Sequence, residues 1–596
     1  MKAIRYYGPK DLRLEDIPEP VAGPGQVKVK GISGGGGGLS EYVVVPQELA
    51  HILPANVSLE IGALVEPLAV AWRAVKLSHV KAGDKVLILG AGPIGVFVLK
   101  VAQIFGATWV GISGRGSKRC ALARKYGASV VYDASAGTVD VVAATLKATG
   151  GRGADVVVDC AGAQDTLDTA LKAARPGGTI MNVAGWAARP TIDMNLMLMK
   201  ELVLANSMTY AGDHPELIQA LADGKFDLDD LEALITRRVG LEDYLEKGLG
   251  ALLHEKDQHV CGSDLHSWHE ILPVSPTTTQ PHPVTHETLP VVMGHEFSGT
   301  VVELGPGVDP AGLAVGGHVV VEPILSCMQA SCPFCSAGAR NLCRNLTFIG
   351  IGGFGGGLSE YICVERRLVF PLPPKVPLDV GAMMEPLSIA WHAVKRSNFK
   401  AGDTVLILGA GPIGLLTSRV VKALGATWIG VSEPALKRRE LALQNGATAV
   451  FDPTNQAVDL VAETLKATSQ RGADVVFDCA GNQRTLDIAF IAVRPRGSIM
   501  NIAVWATRPS LDIGSLTAKE VSLTSVLGCD RVHAEMLDAI ADGRFPVDGL
   551  DSLVTRRIPL EDLVEKGIKA LLHETDKHVK ILVYPDLKLV ANGANL

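Results

Sequence analysis

The chain has 596 residues and a net charge of −7, from 63 acidic against 56 basic side chains, which gives no electrostatic reason to expect a nucleic-acid or anionic-membrane partner. With 47% hydrophobic residues, 64 glycines and 5% aromatics, it is too apolar for a disordered chain and fits a sheet-and-helix enzyme. The amino-terminal stretch MKAIRYYGPKDLRLEDIPEP has no apolar run of signal-peptide length, and the apolar run 86–99 is broken by glycine and ends at Lys100, too short to cross a bilayer; a cytoplasmic location is expected.

In chain order, QVKVKG (26–31) alternates polar and apolar residues as a half-buried strand should, and Gly34–Gly38 follows as a flexible glycine run. At Ser33 begins a segment, 33–260, that recurs without a gap as 352–579. VEPLAVAW (65–72) answers MEPLSIAW (384–391), and AGDKVLILGAGPIG (82–95) answers AGDTVLILGAGPIG (401–414). Removing 33–260 would join VKVKGI to CGSDLH, leaving a chain about the size of one two-domain enzyme. The reading is therefore one complete enzyme carrying a partial second copy of itself. The expected fold is α/β, with a β-rich catalytic domain and two doubly wound (Rossmann) nucleotide-binding domains. The expected divisions are 1–32 (amino-terminal part of the catalytic domain), 33–75 (its partial copy), 76–210 (first nucleotide-binding domain), 211–260 (partial carboxyl segment), 261–394 (catalytic domain), 395–529 (second nucleotide-binding domain) and 530–596 (carboxyl part of the catalytic domain).

Both copies carry strand, G-x-G-x-x-G, helix, the context that makes this motif specific for a dinucleotide. In the first copy the glycines are Gly90, Gly92 and Gly95, but Gly114 stands where an acid should hold the ribose hydroxyls. With Arg115 beside it, this site reads either as NADP-binding or as one drifting from function. In the second copy TVLIL (404–408) runs into Gly409, Gly411 and Gly414, and the next strand ends at Glu433, an acid in the right place for NAD.

Between the copies, and at Glu385 inside the second, lie the metal-type residues. Alcohol oxidation needs a Lewis acid with three protein ligands and an open position. Cys261 and His295 suit two of these, and Glu296, Glu385 or both can complete the shell. Ser263 and His266, at +2 and +5 from the cysteine, suit a proton relay. Singly, each has a bland reading as a core or surface residue; the combination carries the weight. Cys327, Cys332, Cys335 and Cys343 cluster as metal ligands do in a chain without a secretion signal, whereas Cys120, Cys160, Cys363, Cys479 and Cys529 are scattered and read as buried thiols.

In this order, GPGQVKVKGI, CGSDLH, HPVTHETLPVVMGHEFSGTVVELG, HVVVEPIL, GLSEY, MEPLSIAWHAVK and VLILGAGPIG resemble the zinc-dependent medium-chain alcohol and polyol dehydrogenases, in their butanediol branch. The resemblance covers 1–32 and 261–585 as one enzyme and 33–260 as a partial duplicate. It implies a GroES-like catalytic domain, with a catalytic zinc on Cys261, His295 and either Glu296 or Glu385, and Ser263 and His266 as the relay. It also implies a second, structural zinc on the four-cysteine lobe, although the family's usual first gap is two residues and here it is four. The implied reaction is oxidation of a secondary alcohol or vicinal diol, 2,3-butanediol to acetoin in type, with hydride transfer to NAD. A sorbitol-like polyol substrate and a catalytically impaired nucleotide-binding fusion are the alternatives. The first copy lacks everything matching 261–351 and keeps only Glu66, opposite Glu385, so it is a cofactor-binding unit at most. The resemblance further implies pairing of the nucleotide-binding halves, as an intrachain pseudo-dimer or in a homo-oligomer.

Overall fold

A computed structural model of the chain describes residues 2–8, 11–16, 26–30, 42–46, 52–134, 139–186, 188–208, 212–228, 231, 279–288, 295–305, 312–336, 339–343, 345–349, 352–353, 359, 361–559, 562, 566 and 579–584. They fall into two compact units. The first comprises Met1–Ala174, Thr179–Ala187 and Ala205–Ser267; the second comprises Arg175–Gly178, Ala188–Leu204 and Trp268–Leu596.

In the first unit, β1 (Lys2–Gly8) pairs antiparallel with β2 (Asp11–Asp16), and β3 (Gln26–Lys30) with β4 (Tyr42–Pro46), Gln26 opposite Pro46 and Lys30 opposite Tyr42. The join of VKVKGI to CGSDLH implies that the carboxyl end of β3 lies beside Cys261, an expectation that falls outside the described residues. The structure gives β3 the partner β4, whereas the repeat of β4, 361–365, forms no strand. A chain closes on the nearer of two equivalent partners at a lower entropic cost. Then β5 (Lys85–Leu89), β6 (Trp109–Gly114), β7 (Val130–Asp133), β8 (Ala154–Asp159) and β9 (Ala174–Asn182) form a parallel sheet in the order β9-β8-β5-β6-β7.

The second unit begins with part of the first copy. The first two residues of β10 (Val203–Asn206) run antiparallel to the last strand of this unit's large sheet. A β-rich part follows: β11 (Ser298–Thr300), β12 (His318–Val321), β13 (Ile324–Leu325), β14 (Thr347–Phe348) and β15 (Val369–Pro371), with β12 between β11 and β15, and β13 against β14. The large sheet comprises β16 (Thr404–Leu408), β17 (Trp428–Ser432), β18 (Ala449–Phe451), β19 (Ala473–Asp478), β20 (Val493–Asn501) and β21 (Ser522–Ser525). Its order is β18-β17-β16-β19-β20-β21, with parallel neighbours throughout. This is doubly wound topology, with its switch point between β16 and β19. All five residues of β16 are buried, as an apolar run covered on both faces must be. Finally β22 (Val554–Pro559) pairs with β23 (Lys580–Tyr584). One core joins Val320, Ile324 and Leu346 of the β-rich part to Leu387, Trp391, Val405, Ile407 and Phe477.

Each copy anchors its first sheet strand on an acid. Lys85 N donates to Asp155 at 2.8 Å, and Thr404 N donates to Asp474 at 2.8 Å. Asp474 also accepts from the Thr404 hydroxyl at 2.7 Å and Arg494 Nε at 2.5 Å. Burial pushes the Asp474 carboxyl up, but these donors outweigh it and hold it below the usual value. A depressed folded pKa gives a contribution that is complete above the unfolded value, about pH 4, and lost as pH falls through the folded value. Asp474→Asn is expected to cost about 1–3 kcal/mol at pH 7 and progressively less toward pH 3. Urea unfolding at both pH values checks this, and an equal cost at both would contradict it.

Candidate active site

The second glycine turn leaves β16 at the switch point. Gly409 has φ +101°, which a side chain would strain. A Cβ on Gly414 would drive into the Gly409 carbonyl oxygen, whereas a Cβ on Gly411 would meet nothing within 4 Å. Gly411 caps helix Pro412–Ala423, whose Pro412 sits in the first turn, so an open face lies at a helix amino terminus. Glu433 follows β17, is 5% exposed, and accepts from Ala410 N at 2.8 Å and Ala435 N at 3.0 Å. An open glycine face with a buried acid beyond the second strand fits a dinucleotide.

The first copy keeps the turn. Gly90 has φ +112°, a Cβ on Gly95 would enter the Gly90 carbonyl, and the face at Gly92 is open. At the acid position, a Cβ on Gly114 would meet the Ala91 methyl at 2.5 Å. Arg115 is exposed and lies 3.8 Å from the Asp165 carboxylate.

His295 and Glu296 lie just before β11, and Glu385 is the second residue of helix Met384–Arg396. One ligand atom from each lies within 4.8 Å of the others. Glu385 is 2% exposed, its Oε2 has no hydrogen-bond partner, and burial raises its pKa to about 8. Burial, then the Lys580 charge, lowers the His295 pKa and favours neutral imidazole. Lys580 opens β23 and ion-pairs with Glu296; burial brings its ammonium down to about 8. Among the described residues, one carboxylate thus has a cation while Oε2 of the other has no partner, an arrangement that a bound cation would complete. Helix Met384–Arg396 packs on helix Pro412–Ala423, so the carboxylate and the glycine turn share a rigid support. Cys261, Ser263 and His266 lie outside the described residues. Glu66, opposite Glu385 in the repeat, is exposed.

The four clustered cysteines converge. Cys327 Sγ lies 3.5 Å from Cys343 Sγ and 3.8 Å from Cys335 Sγ, and with Cys332 all four sulfurs fall within 4.8 Å of one another. The four-residue first gap therefore does not keep Cys327 out. Burial pushes the Cys332 thiol up, but N–H donation from Cys335 and Phe334 and the neighbouring thiols bring it to about 7, while burial raises Cys343. Four sulfurs at this spacing fit zinc. Of the other cysteines, Cys120 and Cys529 are buried and Cys160 and Cys479 partly so. Cys363 is exposed, contrary to the expectation of a buried thiol, because its segment 361–365 lacks the strand pairing its repeat has.

The structure adds residues that sequence reading passed over. Lys580 had no signal beyond a lysine in an apolar strand. Glu322, inside the HVVVEPIL motif, meets Cys529 and His533 in a fully buried cluster. Arg340 already pairs with Glu322 at 3.0 Å. His533 stacks on Phe370 at 5.3 Å and is lowered to about 4 by burial and then by Arg340. No helix among the described residues is long and apolar enough to cross a membrane.

Two family models match the chain. The zinc-binding dehydrogenase model matches 93–223 and again 412–542, and the alcohol dehydrogenase GroES-like domain model matches 251–374. The chain is 39% identical over 329 residues to (R,R)-butanediol dehydrogenase of Neisseria gonorrhoeae, covering 55% of this chain and 90% of that protein. It is 36% identical over 344 residues to (R,R)-butanediol dehydrogenase of Saccharomyces cerevisiae, covering 55% and 89%. The crystal structure of 2R,3R-butanediol dehydrogenase from Bacillus subtilis matches with a TM-score of 0.47 at 38% identity, over 52% of this chain and 86% of that one.

Proposed function

The chain belongs to the zinc-binding dehydrogenase family, and from that premise we propose that it oxidises a secondary alcohol of the vicinal-diol class, 2,3-butanediol to acetoin in type, with NAD as hydride acceptor. The observation that carries the reading is the convergence of His295 and Glu296 with buried Glu385, whose Oε2 has no partner among the described residues and whose helix supports the nucleotide turn. When bound, zinc supplies the Lewis acidity that lowers the alcohol's pKa, and NAD supplies the acceptor for the hydride. Neutral His295 offers a ring-nitrogen lone pair, and Glu385 offers a carboxylate whose ionisation a neighbouring cation favours. Glu296, held by Lys580, is the adjustable member of the pair. Cys261 is proposed as the thiolate ligand, and Ser263 and His266 as the path that carries the alcohol proton to solvent. Gly411 would leave room for the pyrophosphate, and Glu433 would hold the ribose hydroxyls.

In the same reading Cys327, Cys332, Cys335 and Cys343 hold a structural zinc, and the first copy, with Gly114 and Arg115, takes NADP or no cofactor. The sequence divisions at 32, 75, 210, 260, 394 and 529 are part of the proposal. So are a cytoplasmic location and assembly as an intrachain pseudo-dimer or a homo-oligomer, which solution mass tests. The deciding experiment is NAD reduction by the purified full-length chain with (2R,3R)-butanediol, followed by nicotinamide absorbance on protein of known zinc content. Turnover is expected. Turnover with sorbitol alone would replace the diol by a polyol. No turnover with either by folded, zinc-loaded protein would favour a nucleotide-binding fusion.

A further inference from the structure

We propose that Glu201, a residue of the first copy, is a positioning residue for the metal-binding elements of the second. Segment Ala188–Leu204 belongs to the second compact unit and is tied to it along its length. Ile192 N donates to Pro509 O at 3.0 Å, and Leu511 N donates to Pro190 O at 2.7 Å. Asn195 exchanges hydrogen bonds with the Trp505 backbone at 2.8 and 2.9 Å, and β10 closes on β21. Between these anchors Glu201 ends helix Met194–Lys200 in a left-handed conformation, φ +47°, which turns its side chain away from the helix run.

That carboxylate is 2% exposed and gathers donors from three elements. Its Oε1 lies 2.9 Å from His392 Nε2 and accepts from Asn341 Nδ2 at 3.0 Å and Leu527 N at 3.2 Å. Its Oε2 lies 3.4 Å from Arg396 Nε, and its backbone oxygen accepts from Arg396 at 3.2 Å. His392 and Arg396 sit on the helix that carries Glu385 near its start. Asn341 lies in the short turn Arg340–Leu342, immediately before Cys343. Leu527 lies two residues before Cys529. One buried anion therefore fixes the helix of the candidate catalytic carboxylate relative to the cysteine lobe. Buried donors around it would be stranded by its removal, and the cheapest response is for those elements to shift.

The repeat supplies an internal control. Glu520 is the counterpart of Glu201 and has the same left-handed backbone, φ +51°; one partner of its carboxylate is exposed Arg496, at 3.0 Å. Arg73, the counterpart of His392, is served within its own copy by Asp213 at 3.3 Å. In the second copy Val532 replaces that aspartate, and His392 takes Glu201 instead. The partial copy thus supplies an acid that the second copy lacks at this position.

The inference rests on the zinc reading above, and its test separates the two. Full-length Glu201→Ala, Glu201→Gln and, as control, Glu520→Ala are compared with the parent in three measurements. These are the rate of zinc transfer to a chromophoric chelator under native conditions, the rate of cysteine modification by a thiol reagent, and kcat and KM for diol and NAD. Glu201→Ala is expected to speed zinc loss and lobe thiol modification about tenfold or more and to lower kcat by a similar factor, with KM for NAD unchanged. Glu201→Gln, which keeps an acceptor oxygen, is expected to recover most of the loss, and Glu520→Ala to match the parent. Thiol reactivity reads the lobe even if the substrate or the zinc assignment is wrong. Parent-like thiol and zinc rates in Glu201→Ala, or an equal effect from Glu520→Ala, would overturn the proposal.

Discussion

Gly414→Ala is expected to abolish NAD-dependent turnover, with the affinity for NAD falling about 100-fold or more. The methyl group has no space, because the Gly409 carbonyl oxygen occupies it. Relief requires the turn to open, which moves helix Pro412–Ala423 away from β16 and takes its amino terminus out of register with the pyrophosphate. A flexible side chain could swing aside, but here the obstacle is backbone, so adjustment is costly. Gly95→Ala makes the same collision with Gly90 in the first copy. Among the described residues, the metal-type clusters involve only positions from His295 to His533, so turnover is expected to survive it. Titration calorimetry with NAD and NADP, alongside the rate assay, checks both variants. Turnover unchanged in Gly414→Ala, or abolished in Gly95→Ala, would transfer the catalytic nucleotide to the first copy.

Cys343→Ser is expected to remove one zinc per chain and to lower the melting temperature by about 5 °C or more. Its sulfur is buried, lies 3.5 Å from that of Cys327, and its side chain belongs to the main core with Ile324 and Leu346. Structural zinc binding is worth about 10 kcal/mol in small zinc-dependent domains, so losing even part of it exceeds the effect of most single substitutions. A hydroxyl is a poorer ligand than a thiolate for a borderline-soft metal. The control is Cys363→Ser at an exposed position, expected to leave zinc content and melting temperature unchanged. Metal analysis by mass spectrometry with scanning calorimetry decides the matter. An unaltered zinc count in Cys343→Ser would mean that the four sulfurs hold no metal.

What could be read from the sequence was local. A glycine turn announces itself because strand, turn and helix are contiguous, and each glycine answers a steric demand within a few residues, as Gly409 and Gly414 do. Glu433 follows from the same unit. The four cysteines lie within one short stretch, and their unusual soft-donor chemistry makes them conspicuous even with a longer first gap. His295, Glu296 and Glu385 were legible as candidates, although spacing alone could not say that Lys580 would take Glu296 and that Oε2 of Glu385 would have no partner among the described residues.

The sequence by itself therefore determined the repeat, the two glycine turns, the doubly wound sheets and the candidate ligand types, because each depends on residues close along the chain or on rare side-chain chemistry. Only the tertiary structure decided which strand β3 pairs with, which carboxylate Lys580 takes, how Glu322, Cys529 and His533 meet, and that Glu201 serves the second copy. Those outcomes pair common residues across long separations, in a chain that holds two related copies of one segment. Local propensity does not reach that far, and the choice falls to loop closure, burial and the charges that packing brings together.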